Sequence, residues 1–324
     1  MIQRRTALGL AAALAMPGLA RAQGSFPDRN LRYIVPFPPA GLTDIMARIV
    51  AQRLTEVIGK PVVIENRAGN SGIIGADVAA KAQPDGHTLL AITMTHTVNA
   101  TLFPNAPYDF RRDFTTLSLL GSLPLVVVVN AEKNPARDLS TLLEQVRTRQ
   151  MSGASSGNGS PPHLGLELLR RTAGAGDNLV HVPYRGGAPS VTDLAAGNID
   201  VMVSNLPECL AQIRGGRLRP LAITSAERHP LVPEVPTARE LGKPELEITN
   251  WTAVMTNAAV PAPIRAKLER DILTSIRDAE TTRKGQEAGF QVLGWEAARS
   301  QQFVAAETER WATLVREAGI RSEG

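Results

Sequence analysis

The stretch Pro36-Phe37-Pro38-Pro39-Ala40-Gly41-Leu42-Thr43-Asp44 separates an apolar run, residues 31–35, from an amphipathic one, residues 45–58. Three prolines and a glycine fix a tight exit from a strand, and Thr43 or Asp44 is placed to cap the helix that follows. In that helix Ile45, Ile49, Val50, Leu54, Val57 and Ile58 fall on one stripe, Arg48, Gln52, Arg53 and Glu56 point elsewhere, and Gly59 supplies the stop. The start of such a helix presents free N–H groups and about half a positive charge, so it holds a carboxylate or phosphate without a cationic side chain.

The same alternation continues outward through most of the chain. Short apolar runs at residues 62–65, 88–93, 125–130, 153–155, 180–183, 201–204, 218–224 and 249–255 alternate with helical patterns, among them 75–82, 140–149, 161–171, 188–196, 207–214, 263–279 and 296–317. This order predicts an α/β architecture built on parallel strands. The runs at 125–130 and 249–255 bracket the middle third, so a second lobe is expected to be inserted into the first, with two crossing strands as a hinge. The expected division is lobe 1 from residues 23–124 and 249–324 and lobe 2 from residues 125–248, with a ligand cleft between them.

Residues 1–22 read as an export signal, because Arg4-Arg5 precede an Ala/Leu-rich run ending in the small-x-small pattern Ala20-Arg21-Ala22. The run contains Pro17 and Gly18 and is shorter than the roughly 20 apolar residues of a membrane span. The mature chain is expected to begin near Gln23 in the periplasm, after Sec or twin-arginine export. Arg4, Arg5 and Arg21 carry three of the four excess positive charges, so the mature protein is nearly neutral. With aromatic residues at 4%, it offers neither the clustered positive charge nor the stacking platforms of a nucleic-acid binder. Cys209 is the sole cysteine, so no intramolecular disulfide forms and stability rests on burial, to which a 43% hydrophobic composition contributes.

A second segment repeats the opening arrangement. Ala154-Ser155-Ser156-Gly157-Asn158-Gly159-Ser160-Pro161-Pro162-His163 leads from a short strand, through glycine and small hydroxyl residues, into a helix with proline in its first turn. Two such loops in separate lobes suggest a dicarboxylate-sized ligand gripped at both ends. Gly153-Ala154-Ser155-Ser156-Gly157 also matches the elbow of serine hydrolases, with Asp177, Asp193 or Asp200 and then His181 or His229 downstream. A secreted hydrolase using Ser155 is therefore the enzyme alternative, although no HGGG-type segment precedes the elbow and it does not lead directly into a helix. Gly69-Asn70-Ser71-Gly72-Ile73-Ile74-Gly75 resembles a dinucleotide loop but has Asn70 where glycine is required, which leaves a Gly-rich helix entry lining a cleft. His87, His96, His163, His181 and His229 lack metal-ligand spacing, and no metal or cofactor is implied. His96 and His163 stand out because each lies in a polar loop after a strand.

Several further segments complete a set. They are residues 34–38 leading to Asp44, Val63-Ile64-Glu65-Asn66-Arg67-Ala68-Gly69, Lys81-Ala82-Gln83-Pro84-Asp85-Gly86-His87, Val182-Pro183-Tyr184-Arg185-Gly186-Gly187, Asn205-Leu206-Pro207 and Val235-Pro236-Thr237. In this order, across nearly the whole mature chain, they resemble the Bug, or TctC-like, periplasmic solute receptors of tripartite tricarboxylate transporters. The resemblance implies a type II periplasmic binding protein, two α/β lobes joined by crossing strands. It also implies a monomer that captures a small carboxylate without catalysis and delivers it to membrane transporter subunits. A receptor of the same fold used for sensing is a further alternative.

Carried over by residue, the resemblance places Pro38, Ala40, Gly41, Thr43 and Asp44 on the ligand from the first lobe, beside Thr95, His96 and Asn99. Ser155, Asn158, Ser160 and His163 face them from the second, with Tyr184 and Ser204. The chain departs from the family in having Ala40 where glycine is common and Ser204 where aspartate is frequent. Ala40 is expected to stiffen the loop and resist positive φ. Ser204 removes a negative charge that would pair with an amino group, which favours an acid lacking an amine.

Overall fold

The computed structural model describes residues 26–321, so the export signal and its cleavage beside Ala22 lie outside the described residues. Along the chain come β1 (Leu31–Val35), α1 (Leu42–Ile58), β2 (Val62–Asn66), α2 (Ile73–Ala80), β3 (Thr88–Thr93), α3 (Met94–Leu102), the single turn α4 (Phe110–Asp113) and the long β4 (Phe114–Asn130). The middle supplies α5 (Leu139–Thr148), β5 (Met151–Ser155), α6 (Pro161–Ala173), β6 (Leu179–Pro183), α7 (Gly187–Ala196), β7 (Val201–Asn205), α8 (Leu206–Arg214) and β8 (Leu218–Ile223). Then follow β9 (Thr249–Asn257), α9 (Ala262–Ile276), α10 (Ala279–Glu287), β10 (Gln291–Trp295) and α11 (Ala297–Glu317).

The strands form one sheet in the order β2-β1-β3-β9-β4-β7-β5-β6, with β8 and β10 also paired to β4. Parallel pairing, expected throughout, holds within β1–β3 and within β5–β7. Between these groups β9 runs antiparallel to both β3 and β4, and β4 runs antiparallel to β7. The sheet is therefore mixed. The run expected at 125–130 is only the second half of β4, whose first half, with its Ser, Thr and Gly residues, lacks a clean apolar pattern.

These directions position the site. Because β3 and β4 both oppose β9, the carboxyl ends of β1–β3 point along β4 toward its middle. Because β5–β7 oppose β4, their carboxyl ends point back toward the same place. The register makes this concrete: Thr93 at the end of β3 is level with Thr252, which pairs with Gly121 of β4, while Asn205 at the end of β7 pairs with Leu125. Two sets of strand ends thus meet across about 13 Å of one strand. Loops at the carboxyl ends of parallel strands are where α/β folds bind ligands.

Cross-links hold this middle together. Thr224 Oγ1 accepts from Leu125 N–H at 3.0 Å and lies 2.6 Å from Ile248 O, joining β4 to the segments leading from β8 and into β9. Asn250 of β9 donates to Asn205 Oδ1 at 3.1 Å. Behind β9, the buried Trp251 and Trp311 both donate their indole N–H to Glu307 Oε2, at 3.1 and 2.8 Å. That carboxylate fixes α11 to the sheet. Replacing Glu307→Ala leaves two buried donors unpaired and is expected to cost about 2–4 kcal/mol in urea unfolding, whereas a loss near zero would show that the indoles find other partners.

Candidate functional site

The exit of β1 is braced from inside. Helix α1 begins at Leu42 behind an N-cap Gly41 that has no side-chain cap, so neither Thr43 nor Asp44 caps it as expected; both are already helical and buried. Asp44 Oδ2 accepts from Ala40 N–H at 2.9 Å and Arg48 Nε at 2.8 Å, and Oδ1 accepts from Asn66 Nδ2 at 2.9 Å. Asn66 also donates to Phe37 O at 3.1 Å, so the end of β2 clasps the exit of β1. Burial works to raise the Asp44 pKa, but the hydrogen bonds from Arg48, Asn66 and Ala40 outweigh it and hold the carboxyl below its ordinary value.

Ala40 sits at a φ of 62°, the conformation alanine was expected to resist, which costs a non-glycine residue about 1–2 kcal/mol. The bond from its N–H to Asp44 holds it there. Pro38 is exposed and its carbonyl accepts from Gly41 N–H at 3.4 Å. With no cap present, the N–H groups of Leu42, Thr43 and Asp44 have no intrahelical acceptor.

Helix α3 follows β3 without a loop and was not anticipated as a helix. Thr93 Oγ1 accepts from Thr95 N–H, and His96 Nδ1 accepts from Thr93 N–H, each at 3.2 Å, so Thr93 and His96 close a reciprocal cap. Burial of His96 pushes its pKa down to about 4 despite the opposing Thr93 bond, so the ring is neutral with its proton on Nε2. Neither His96 Nε2 nor Asn99 Oδ1 has a hydrogen-bond partner, although both residues are buried. Asn99 Nδ2 donates to Ser71 O at 2.8 Å, in a turn where Asn70, Ser71 and Gly72 all have positive φ before α2 starts. This is the Gly-rich helix entry expected there, two residues earlier than its periodicity suggested.

The second loop is built differently. Ser160 caps α6: its Oγ accepts from His163 N–H at 3.4 Å and donates to Gly157 O at 2.6 Å, while Gly159 N–H donates to His163 Nδ1 at 3.1 Å. The first two helical residues are Pro161 and Pro162, which have no N–H. The first turn of α6 thus keeps no vacant donor, and the symmetry expected between the two helix starts does not hold. Ser156 and Asn158 are left to supply donors from this loop. A Cβ at Gly159 would come within 2.8 Å of Leu102 and 3.4 Å of Val98, so the loop lies directly on α3.

Ser155 is fully buried, with Oγ 2.6 Å from His181 Nε2 and 3.1 Å from Gly157 N. A serine–histidine pair of the kind the hydrolase alternative requires is therefore present. The aspartates expected to complete it are elsewhere: Asp193 accepts the Tyr184 hydroxyl at 2.6 Å, Asp200 accepts the Ser152 N–H and hydroxyl at 2.8 Å each, and Asp177 is exposed. His229 accepts from Leu231 N–H in a distant turn. His163 stacks on His181 with ring centroids 3.7 Å apart, and burial, then the neighbouring His181, push its pKa down to about 3.

Tyr184 thus has its hydroxyl engaged by Asp193, while Ser204 is fully buried with Oγ unpartnered. A cavity of about 430 Å³ opens beside α3, lined among others by Asn99, Phe103, Tyr108 and Phe110. Asn99 is the sole residue of the expected set on its wall, and its two arginines are paired with Glu309 and Asp113. The candidate site is accordingly the loop junction at mid-β4, not this cavity. Sequence reasoning missed Arg48 and Asn66 as braces of the β1–α1 loop; Asn66 lies in the segment of residues 63–69, but nothing local showed that it clasps a neighbouring loop.

Residues 46–320 match the family model described as the tripartite tricarboxylate transporter family receptor. The chain belongs to this receptor family. It is 37% identical over 314 residues to the protein BugT of Bordetella pertussis, spanning 95% of each chain. Among solved structures, a Rhodopseudomonas palustris protein with adipate superposes with a TM-score of 0.81 at 33% identity, over 91% of this chain and 99% of the other. MatC of the same species, with bound malate, gives 0.77 at 30% identity, over 90% and 100%. Other close neighbours are described as a periplasmic transporter and the periplasmic binding protein BugD. The receptor is thus a periplasmic solute-binding protein by family and has the periplasmic-binding-protein fold, in agreement with the resemblance read from its segments.

The buried histidines set an acid limit for the receptor. Above pH 6.5 the His96 imidazole is neutral folded and unfolded; below it the unfolded chain takes a proton that the folded ring, with its pKa near 4, refuses. Stability is therefore expected to fall as pH drops from about 6.5 to 4, and His96→Gln to flatten that slope in denaturant titrations at several pH values. An equally steep slope in the variant would remove His96 as the cause.

Proposed function

We propose that this receptor captures a small carboxylate, a di- or tricarboxylate or related organic acid, and delivers it to the membrane subunits of a tripartite tricarboxylate-type transporter without catalysing a reaction. The observation that carries the reading is the uncapped start of α1, held open by the Asp44–Asn66 clasp at the carboxyl end of β1. Residues 23–124 with 249–324 act as one lobe and residues 125–248 as the other, with β4 and β9 as the hinge. Ligand carboxylate is held by the N–H groups of residues 42–44, beside Pro38, Ala40, Gly41, Thr95, His96 and Asn99. Asn158 and the loop of Ser155, Ser160 and His163 close over it, with Tyr184 and Ser204 behind. Low-dielectric burial strengthens each N–H contact, so closure and binding reinforce one another.

The adipate and malate of the two Rhodopseudomonas palustris structures support the ligand class. The burial of Ser155 supports a structural rather than nucleophilic role for its bond to His181.

The test is calorimetric titration with a panel of carboxylic acids, repeated on Leu42→Pro. Proline is tolerated at a first helical position after an extended residue, and Gly41 is extended, so this variant removes one donor and keeps the helix. Losing a hydrogen bond to a carboxylate, worth about 1.5–3 kcal/mol, is expected to weaken binding at least about ten-fold. Absence of binding to every acid would overturn the reading, as would ester hydrolysis abolished by Ser155→Ala.

A further inference from the structure

The side chains expected to grip the ligand from the second lobe are mostly engaged within their own loops. Ser155 is tied to His181 and Gly157, Ser160 to Gly157 and His163, and Tyr184 to Asp193. Two polar atoms at the same edge are not engaged: Ser204 Oγ near the end of β7 and Glu208 Oε2 in the first turn of α8. Both atoms are buried and without a hydrogen-bond partner, and Ser204 is fully buried. They lie four residues apart across the β7–α8 junction, with Asn205, level with Leu125 at mid-β4, between them.

The protein makes room for this carboxyl. A Cβ at Gly187, the first residue of α7, would come within 2.2 Å of Glu208 Oε2, so the carboxyl lies directly against the backbone where α7 begins. Gly187 has no unusual φ, so space rather than conformation requires glycine there. Ser204 by itself leaves this corner without a carboxyl; the fold supplies one from the next helical turn. Burial pushes the Glu208 carboxyl up and so favours the neutral form, while Asn205 and Ser204 beside it stabilise the charge and hold the rise back. A neutral carboxyl and a hydroxyl are both O–H donors.

We propose that Ser204 and Glu208 form the distal-end subsite of the receptor, donating hydrogen bonds to the second carboxylate of a dicarboxylate whose first carboxylate lies on α1. This rests on the carboxylate-binding reading above. The pair sets specificity: with the Glu208 carboxyl neutral it donates to an anionic distal oxygen and gains nothing from a methyl.

Three probes with one six-carbon chain separate these cases: adipate, hexanoate and 6-aminohexanoate. Calorimetric affinities are measured for the wild type, Ser204→Ala, Glu208→Leu, Glu208→Gln and Gly187→Ala, each first checked for a wild-type far-ultraviolet spectrum and a cooperative melt. Adipate is expected to bind tightest to the wild type. The adipate-to-hexanoate affinity ratio is expected to fall about ten-fold in Glu208→Leu, the loss of one charge-assisted hydrogen bond. It falls similarly in Gly187→Ala, which displaces the carboxyl without altering it, and less in Glu208→Gln, which keeps a donor. An unchanged ratio in Ser204→Ala, Glu208→Leu and Gly187→Ala overturns the subsite while leaving the carboxylate reading intact. Preferential binding of 6-aminohexanoate, lost in Glu208→Gln, also overturns it, because Glu208 would then act as an anion. Failure of adipate and hexanoate alike to bind the wild type overturns both readings.

Discussion

Everything at the centre of this molecule depends on one strand belonging to two groups of neighbours. The first half of β4 is paired with β9 and β10 and the second half with β7 and β8, so 17 consecutive residues set the geometry of the entire sheet. The pairing directions leave no choice about where the parallel strands end. Both groups direct their carboxyl ends at residues 121–125, and the loops that leave those ends face one another there. A strand buried along nearly all its length, as β4 is, cannot shift register without turning its apolar side chains out of the core. The position of the site is fixed by the same pairing that stabilises the core.

The two loops that leave these strand ends for α1 and α6 carry similar sequences and different chemistry. The first ends in a helix start with no side-chain cap and with donors at its first three residues, prepared by Asp44, Asn66 and the strained Ala40. The second ends in a self-capped helix whose first two residues are prolines. The start of α1 therefore offers an anion N–H groups and dipole together, and the start of α6 the dipole alone. Such asymmetry suits a ligand whose two ends need different partners.

Much of the architecture was legible in the sequence. The strand–loop–helix period and the segments shared with the receptor family depend on residues close in the chain. Elements lacking a clean period went unread: α3, crowded with threonines and a buried histidine; the first half of β4; and β10. Of the expected site residues, His96 and Asn99 are buried in α3 with Nε2 and Oδ1 unpartnered. Asp44 braces the first loop, and Ser155 and Tyr184 are engaged by His181 and Asp193.

By itself the sequence determined which loops are special, because prolines, glycines and capping residues act through local dihedrals and through the presence or absence of an N–H. Even the silence of the α6 start was written in Pro161-Pro162. Only the tertiary structure decided which polar atoms remain free to bind. Whether Asp44, Ser155 or Tyr184 is engaged depends on partners 2 to 26 residues away, and the vacancy at Ser204 and Glu208 depends on how α7 packs against α8. Hydrogen-bond satisfaction is a property of distance in space, and spacing along the chain does not encode it.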